Sequence, residues 1–289
     1  MELWNQNTER QFFREAKDFA TPEQLFYKDN SDRYLAYWPN SYKGPKTTLQ
    51  SRNSLIGNFT EKWTRDIVQK VIQDKGYYAI QGAVCNEIAL PKRSNADVII
   101  SKSDTVEQKA EDILLIFEVK MSIVWNWQYN KKTDKLNCLG DYKSHKGNPG
   151  LLRSDSMLKA IGKSINIRVS SPKSATIPII VIGNTPINKS YYSKVDHLKT
   201  SGIIQGFWSL NPNPLDNDGE SVKSTPEKGF SRFDSFDEFK SSVDKLLTQK
   251  LNFFSSMKNK EELGKIIEAA NAKSTYEEKA EEFLKLLKA

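Results

Sequence analysis

Two carboxylates and an amine, spaced as Asp97 and then Glu118-Val119-Lys120, are the residues of this chain whose types and positions could do chemistry. Asp97 leads the short apolar run DVII, and Glu118 and Lys120 close the run ILLIFEVK. A charge at the edge of a core is costly unless it is paired or holds a metal. Side chains alternate along a strand, so Glu118 and Lys120 share one face while Phe117 and Val119 take the other. If DVII pairs with ILLIF, Asp97 approaches the same place from the neighbouring strand. Two carboxylates and the Val119 backbone carbonyl then form a hard-oxygen set suited to Mg²⁺. Lys120 would stand where negative charge develops on an attacked phosphate. Such a set is what hydrolysis of a phosphodiester by a metal-activated water requires.

The triplet is informative only through its context. Acid-x-Lys also occurs at Glu15/Lys17, Glu107/Lys109, Asp141/Lys143, Glu238/Lys240 and Glu277/Lys279. Only the copy at Glu118 ends an apolar run and follows another short strand led by an acid. The alternative is a strand-end salt bridge between Glu118 and Lys120, with Asp97 shaping a turn at Ser94-Asn95. Asp104 and Asp112 compete for the role of Asp97. Asp112, however, lies about 20 Å from Glu118 along an extended strand.

The elements that must position these groups are legible in the pattern. A short amphipathic helix spans Glu9 to Phe19, and irregular chain containing RYLAYWPNSYKGPK follows, either an arm that wraps a partner or a packed loop. Leu55, Phe59, Trp63, Ile67 and Val71 recur every four residues and predict a long helix ended by Lys75-Gly76. YYAIQGAVC, DVII and ILLIFEV read as strands, SDSMLKAIGKSINI as a helix, and IPIIVIGN and GIIQGFWSL as further strands. NPNPLDNDGESVKSTPEKG reads as a loop. The C-terminal part is helical, with capping boxes at Ser235/Glu238 and Ser274/Glu277. The order is that of an α/β core with helical additions at both ends.

Asp97, the Glu118-Val119-Lys120 triplet on the next strand, and a preceding amphipathic helix that carries Glu61 resemble the PD-(D/E)XK nuclease superfamily, and within it the type II restriction endonucleases. The resemblance covers roughly Leu55 to Leu210, with Ala96 standing where the motif's name has Pro. It implies a restriction-endonuclease-like core (helix, mixed central β-sheet, helix) with added N-terminal and C-terminal helical segments. The corresponding boundaries are 1–50 for an N-terminal helix and arm, 51–212 for the core, 213–232 for a loop and 233–289 for a helical segment, in one compact unit. It further implies Mg²⁺ held by Asp97, Glu118 and the Val119 carbonyl, assistance by Lys120, and 5′-phosphate ends. Glu61 would face the metal site and could support a second ion, or it could reach back to Asn58 in a local helix cap.

Between Lys120 and Lys173 eleven Lys or Arg face three acids, whereas from Phe233 onward ten Lys face eleven acids. One segment thus carries the whole net charge of +7, as a polyanion-binding face would. Arg153, Ser156, Lys159 and Lys163, the last three on one helix face, are candidates for DNA phosphates, and equally fit a solvated face. In WNWQYNKK, Asn126 and Gln128 could read adenine, with Lys131 and Lys132 on the backbone, or the stretch could be a strand that buries Trp125 and Trp127. The expected partners are double-stranded DNA and a second copy of the chain, since a two-fold dimer matches a palindromic site. A cognate DNA methyltransferase would be a genetic rather than a physical partner.

Other chemistries fit poorly. Only His145 and His197 occur, too few for a His-based metal site, and Ile204 stands where an H-x-K phosphodiesterase motif beginning at His197 needs Asp. No GxxxxGK[ST] loop is present. Cys85 and Cys138 are too few for a disulfide framework, and no apolar stretch approaches a membrane span. A cytoplasmic protein of a prokaryotic host is the expectation. A site-specific endonuclease, a repair or recombination nuclease of the same superfamily, and a non-catalytic DNA-binding protein are the three functions these residues allow.

Overall fold

The computed structural model describes residues 2–45, 47–212, 222–254 and 258–288. Asn5 starts the first helix, α1 (Gln6–Ala16), by accepting the Asn7 and Thr8 N–H groups on its side chain, which satisfies donors that a helix start leaves unpaired. A single turn, α2 (Pro22–Leu25), and two short strands, β1 (Tyr27–Lys28) and β2 (Tyr34–Leu35), lead into the long helix α3 (Gln50–Ile72). Gly76, at φ +67°, turns the chain out of that helix, a conformation that glycine adopts without strain. Then follow β3 (Tyr78–Ala83), β4 (Ala96–Ser101), β5 (Ile113–Val119), β6 (Asn126–Asn130), β7 (Lys135–Gly140), α4 (Ser154–Ser170), β8 (Ile179–Gly183), α5 (Tyr192–Thr200), β9 (Gly206–Ser209), β10 (Phe230–Arg232), α6 (Phe236–Thr248), α7 (Lys260–Asn271) and α8 (Tyr276–Lys288).

The main sheet is mixed, in the order β10-β9-β8-β5-β4-β3. Strands β3, β4 and β5 form an antiparallel meander, and β8, β9 and β10 continue the sheet in parallel. All five residues of β8 are buried, as a parallel strand covered on both faces requires, and its sequence IIVIG is accordingly a continuous apolar run. One face of the sheet, with Val98, Ile100, Leu115 and Phe117, packs in the same core as Ile67, Val68 and Val71 of α3. The opposite face presents Ile99 and Ile116 to Ile167 of α4. The sheet therefore lies between α3 and α4, an α/β arrangement with a mixed central sheet.

A second, four-stranded sheet, β1-β2-β6-β7, is antiparallel throughout. It absorbs the basic-aromatic stretch after Lys120, where the sequence shows little period. The N-terminal arm is packed rather than free: rings stack in series as Tyr42 on Trp38, Trp38 on Tyr27, and Tyr37 on His145. Arg52 joins the two groups, its guanidinium carbon 5.3 Å from the Tyr27 ring and 5.2 Å from the Tyr37 ring.

Three boundaries differ from the sequence expectation. Of the 213–232 loop, residues 213–221 lie outside the described residues, and the last three form β10, because parallel pairing with β9 outweighs their turn-rich surroundings. The box expected at Ser274/Glu277 sits one residue on: the Thr275 N–H donates to Glu278 and the Glu278 N–H donates to Thr275 Oγ1. At α6, Ser235 caps Glu238 as expected, but the Glu238 carboxylate accepts from the Asp234 N–H instead of closing the box. Among the described residues, no helix is long and apolar enough to cross a membrane.

Candidate active site

The antiparallel register of β4 and β5 pairs Val98 with Phe117, so one step along it Asp97 and Glu118 stand opposite each other on the α4 side of the sheet. Like charges directly opposite across a strand pair repel, and a compensating cation is required. Lys120 supplies one, with Nζ 2.5 Å from Glu118 Oε1 and 3.6 Å from Asp97 Oδ2. The second is Lys163 of α4, with Nζ 2.9 Å from Asp97 Oδ1 and 2.6 Å from Glu118 Oε2. The Val119 N–H also donates to Asp97 Oδ2 at 2.7 Å, which fixes the aspartate on the neighbouring strand. Burial, and then the charge of Asp97, push the Glu118 carboxyl above its usual pKa while the two lysines oppose the shift. For Lys163 burial pulls the ammonium down, and the charges of Asp97 and Glu118 more than offset it, so its pKa is raised.

Glu61 is brought near this cluster. Asn58 lies inside α3 and cannot cap it, since the helix begins at Gln50. The Glu61 carboxylate accepts instead from Gln81 Nε2 of β3 at 3.2 Å. Burial, and then Asp97, raise its pKa.

The segment that follows Lys120 is held on both sides. The Lys120 N–H donates to the Ile182 carbonyl at 2.6 Å, and Asn184 makes two hydrogen bonds with the Ser122 backbone. Gly150, at φ +53°, brings the loop before α4 against this segment: a Cβ there would lie 3.1 Å from the Lys120 carbonyl oxygen and 3.0 Å from Thr185 Oγ1. Position 150 thus needs glycine for both its conformation and its clearance.

Beside Lys120 a cleft of about 310 Å³ is lined by Asn53, Ser122, Arg153, Asp155, Ser156 and Lys159. It shares residues with a cleft of about 500 Å³ whose wall includes Tyr37, Trp38, Arg52 and Lys146. A larger cavity, about 970 Å³, lies between the N-terminal residues and Asp234–Asp237 and contains none of the cluster. The basic cleft adjoins the charged cluster through Val119 and Lys120, whereas cavity size alone points elsewhere.

The remaining sequence candidates divide. Arg153, Ser156 and Lys159 line the cleft, although Arg153 also grips Asp155 at 2.9 and 2.7 Å. Lys163, expected on the phosphate-facing side of α4, engages the carboxylates because one more helical turn carries it from the cleft onto the strand ends. Asn126 is buried and its Oδ1 accepts the Tyr37 N–H, a contact that ties β6 to the chain leaving β2. Gln128 sits half-buried in β6, opposite Leu35 and Asn137. Lys131 pairs with Glu23 at 3.5 Å, and Lys132 follows at the tip of the β6–β7 hairpin. Neither lines the two clefts beside Lys120.

Glu9 was not legible as a special residue. It is fully buried and accepts from Trp4 Nε1, Trp127 Nε1 and the Val124 and Trp125 N–H groups. Its one sequence signal is an acid in register with Phe12, Phe13 and Ala16 on the apolar face of α1.

Both carboxylates touch a single ammonium point, so their oxygens already converge as a hard cation would need. Among the described residues no group of three or more His, Cys, Asp and Glu side chains gathers as a metal site. A two-carboxylate set completed by the Val119 carbonyl, water and phosphate nevertheless fits Mg²⁺, which typically takes only one or two carboxylates from protein. No family model, curated protein or solved structure matches the chain.

Proposed function

We propose that the chain is a Mg²⁺-dependent endonuclease of the PD-(D/E)XK type that cuts double-stranded DNA at a specific sequence, as type II restriction endonucleases do. The observation that carries this reading is the convergence of Asp97 and Glu118, from adjacent strands, on one cation-sized point, with Lys120 beside both and a basic cleft at its side. A bound divalent ion supplies a Lewis acid for a phosphoryl oxygen and acidifies water. Asp97 and Glu118 would hold that ion, and the Val119 carbonyl, to which Lys120 Nζ donates at 3.0 Å, is the further protein oxygen beside them. Lys120, fixed by the strand backbone, stabilises charge on the attacked phosphate. Arg153, Ser156 and Lys159 hold flanking phosphates, each cation adding salt-dependent affinity. Attack in line with the leaving 3′ oxygen gives 5′-phosphate and 3′-hydroxyl ends.

A palindromic site calls for a two-fold homodimer. The α7–α8 hairpin, where Phe254 meets Phe283 edge-on at 5.9 Å and Ile267 is half exposed, is the surface we assign to that contact.

Incubation of the protein with phage-sized duplex DNA, with and without Mg²⁺ and beside Asp97→Ala, tests the reading. Discrete bands that need Mg²⁺ and vanish in the variant are expected. A Mg²⁺-dependent smear would reassign the chain to weakly specific repair cleavage. Intact DNA that shifts on a gel with both proteins would make it a binding module.

A further inference from the structure

Lys163 and Lys120 divide the four carboxylate oxygens between them. Lys120 contacts Glu118 Oε1 at 2.5 Å, donates to the Val119 carbonyl at 3.0 Å and comes within 3.6 Å of Asp97 Oδ2, the oxygen that the Val119 N–H holds. Lys163 takes the other pair, Asp97 Oδ1 at 2.9 Å and Glu118 Oε2 at 2.6 Å. A divalent ion that bridges the two residues without displacing Lys120 takes Asp97 Oδ1 and Glu118 Oε2, the oxygens Lys163 occupies. Two cations cannot share one point, so the ammonium and the metal exclude each other there.

The two lysines are not equivalent in their freedom. Lys120 continues β5, and its own N–H is bonded to Ile182. Lys163 projects from α4, where a Cβ at the adjacent Gly162 would meet nothing within 4 Å and Lys159, one turn back, is exposed, although its own side chain is as covered as that of Lys120, 19% against 20% exposed. A four-carbon stem on an open flank can carry the ammonium out of the pair without moving the backbone.

We propose that Lys163 is a resident counter-ion that keeps the divalent ion's place in the metal-free protein and must withdraw for the ion to enter, so that it sets the site's divalent affinity. The inference rests on the metal-dependent reading above. Lys163 compensates the like charges of Asp97 and Glu118 until the metal does so, and the metal's binding energy is reduced by the energy of the ion pairs it breaks. Lys163 is a positioning residue in this scheme, acting through the two carboxylates.

Calorimetric titration of MnCl₂ into the protein without DNA tests it, comparing wild type, Lys163→Met, Lys163→Arg and Asp97→Asn. Met keeps the apolar stem and removes the competitor, so Lys163→Met is expected to bind Mn²⁺ at least about tenfold more tightly, a lower bound for unpairing a buried charge. Lys163→Arg is expected to bind near the wild-type level, and Asp97→Asn to lose binding. Should Lys163→Met fail to fold, Lys163→Gln carries the same expectation. Equal or weaker Mn²⁺ binding by the neutral variants overturns the inference alone, and leaves Lys163 as a static bridge or a phosphate contact. Absence of Mn²⁺ binding in wild type and variants alike overturns it together with the nuclease reading.

Discussion

Glu9 and Glu118 are both buried carboxylates, and the protein compensates them by opposite means. Glu9 is ringed by four N–H donors from Trp4, Val124, Trp125 and Trp127, with no cation among its hydrogen-bond partners. Glu118 and its neighbour Asp97 are matched by two ammonium groups on long side chains. Fixed dipoles rebuild a solvation shell that nothing can exchange, which suits a residue that ties α1 to the chain segment that follows β5. Mobile cations can be replaced by another cation. The kind of partner, more than burial or a shifted pKa, separates the carboxylate that builds the fold from the one proposed to hold a metal.

The sharpest way to break that distinction is to neutralise each acid in turn. Glu118→Gln is expected to lower single-turnover cleavage of plasmid DNA by about a thousandfold, the scale seen when a transition-state electrostatic partner is removed. Glu9→Gln is expected to leave the cleavage rate of folded protein within a few-fold, yet to lower stability by about 1–3 kcal/mol, because its amide N–H groups meet other donors. Urea unfolding followed with cleavage assays separates the two. Similar losses of rate in both variants would abolish the contrast.

A second test uses pH. Burial raises Glu9 from 4.5 to about 7, although its four N–H partners oppose the shift. Burial likewise lowers His145 from 6.5 to about 4. The folded protein holds the Glu9 proton that the unfolded chain releases, so stability from this group is full below pH 4.5 and falls as pH rises toward 7. That fall is worth up to about 3 kcal/mol. His145 acts with the opposite sign: the unfolded chain takes a proton that the folded ring refuses, so stability is lost as pH falls from 6.5 to 4. Between those limits the two slopes oppose each other in wild type. In Glu9→Gln the glutamate slope that opposes His145 is removed, and urea midpoints are expected to climb more steeply from pH 4 to pH 6.5 than in wild type. A variant profile no steeper than that of wild type would show that Glu9 does not carry the raised pKa.

The smallest effects belong to the cleft. Lys159→Ala is expected to weaken DNA binding several-fold and to reduce the slope of log affinity against log salt by about one. Lys131→Ala, at the far hairpin and already paired with Glu23, is expected to change neither. Equal slopes for the two variants would place the DNA path elsewhere.

Local pattern made most of the main sheet legible, because β-branched runs and one four-residue periodicity are short-range signals. Asp97, Glu118 and Lys120 could be grouped from alternation and from the antiparallel pairing of neighbouring strands alone. Lys163 could not, since its place depends on how α4 lies across the sheet, and a helix face in sequence does not say which neighbour it will meet. The burial of Asn126 was hidden for the same reason: alternation assigned it to the outer face of β6, but the chain that leaves β2 runs beside it and the Tyr37 N–H donates to its side-chain oxygen. The aromatic-rich arm gave no period because its order comes from stacking between rings and Arg52 rather than from a repeating element.

The mixed pairing of the main sheet also sets an order of assembly. β4 and β5 join through residues 102–112 alone, while β8, which pairs Ile179 with Ile116 of β5, is separated from it in sequence by β6, β7 and α4. Contacts close in sequence cost less chain entropy and tend to form earlier. The folding chain therefore brings Asp97 and Glu118 face to face while Lys163 is still remote, and Lys120, on β5 itself, is the only cation of the cluster that travels with them. A free cation in solution can shield the pair during that interval, so the same divalent ion proposed for the chemistry would also ease the closing of the hairpin that later holds it.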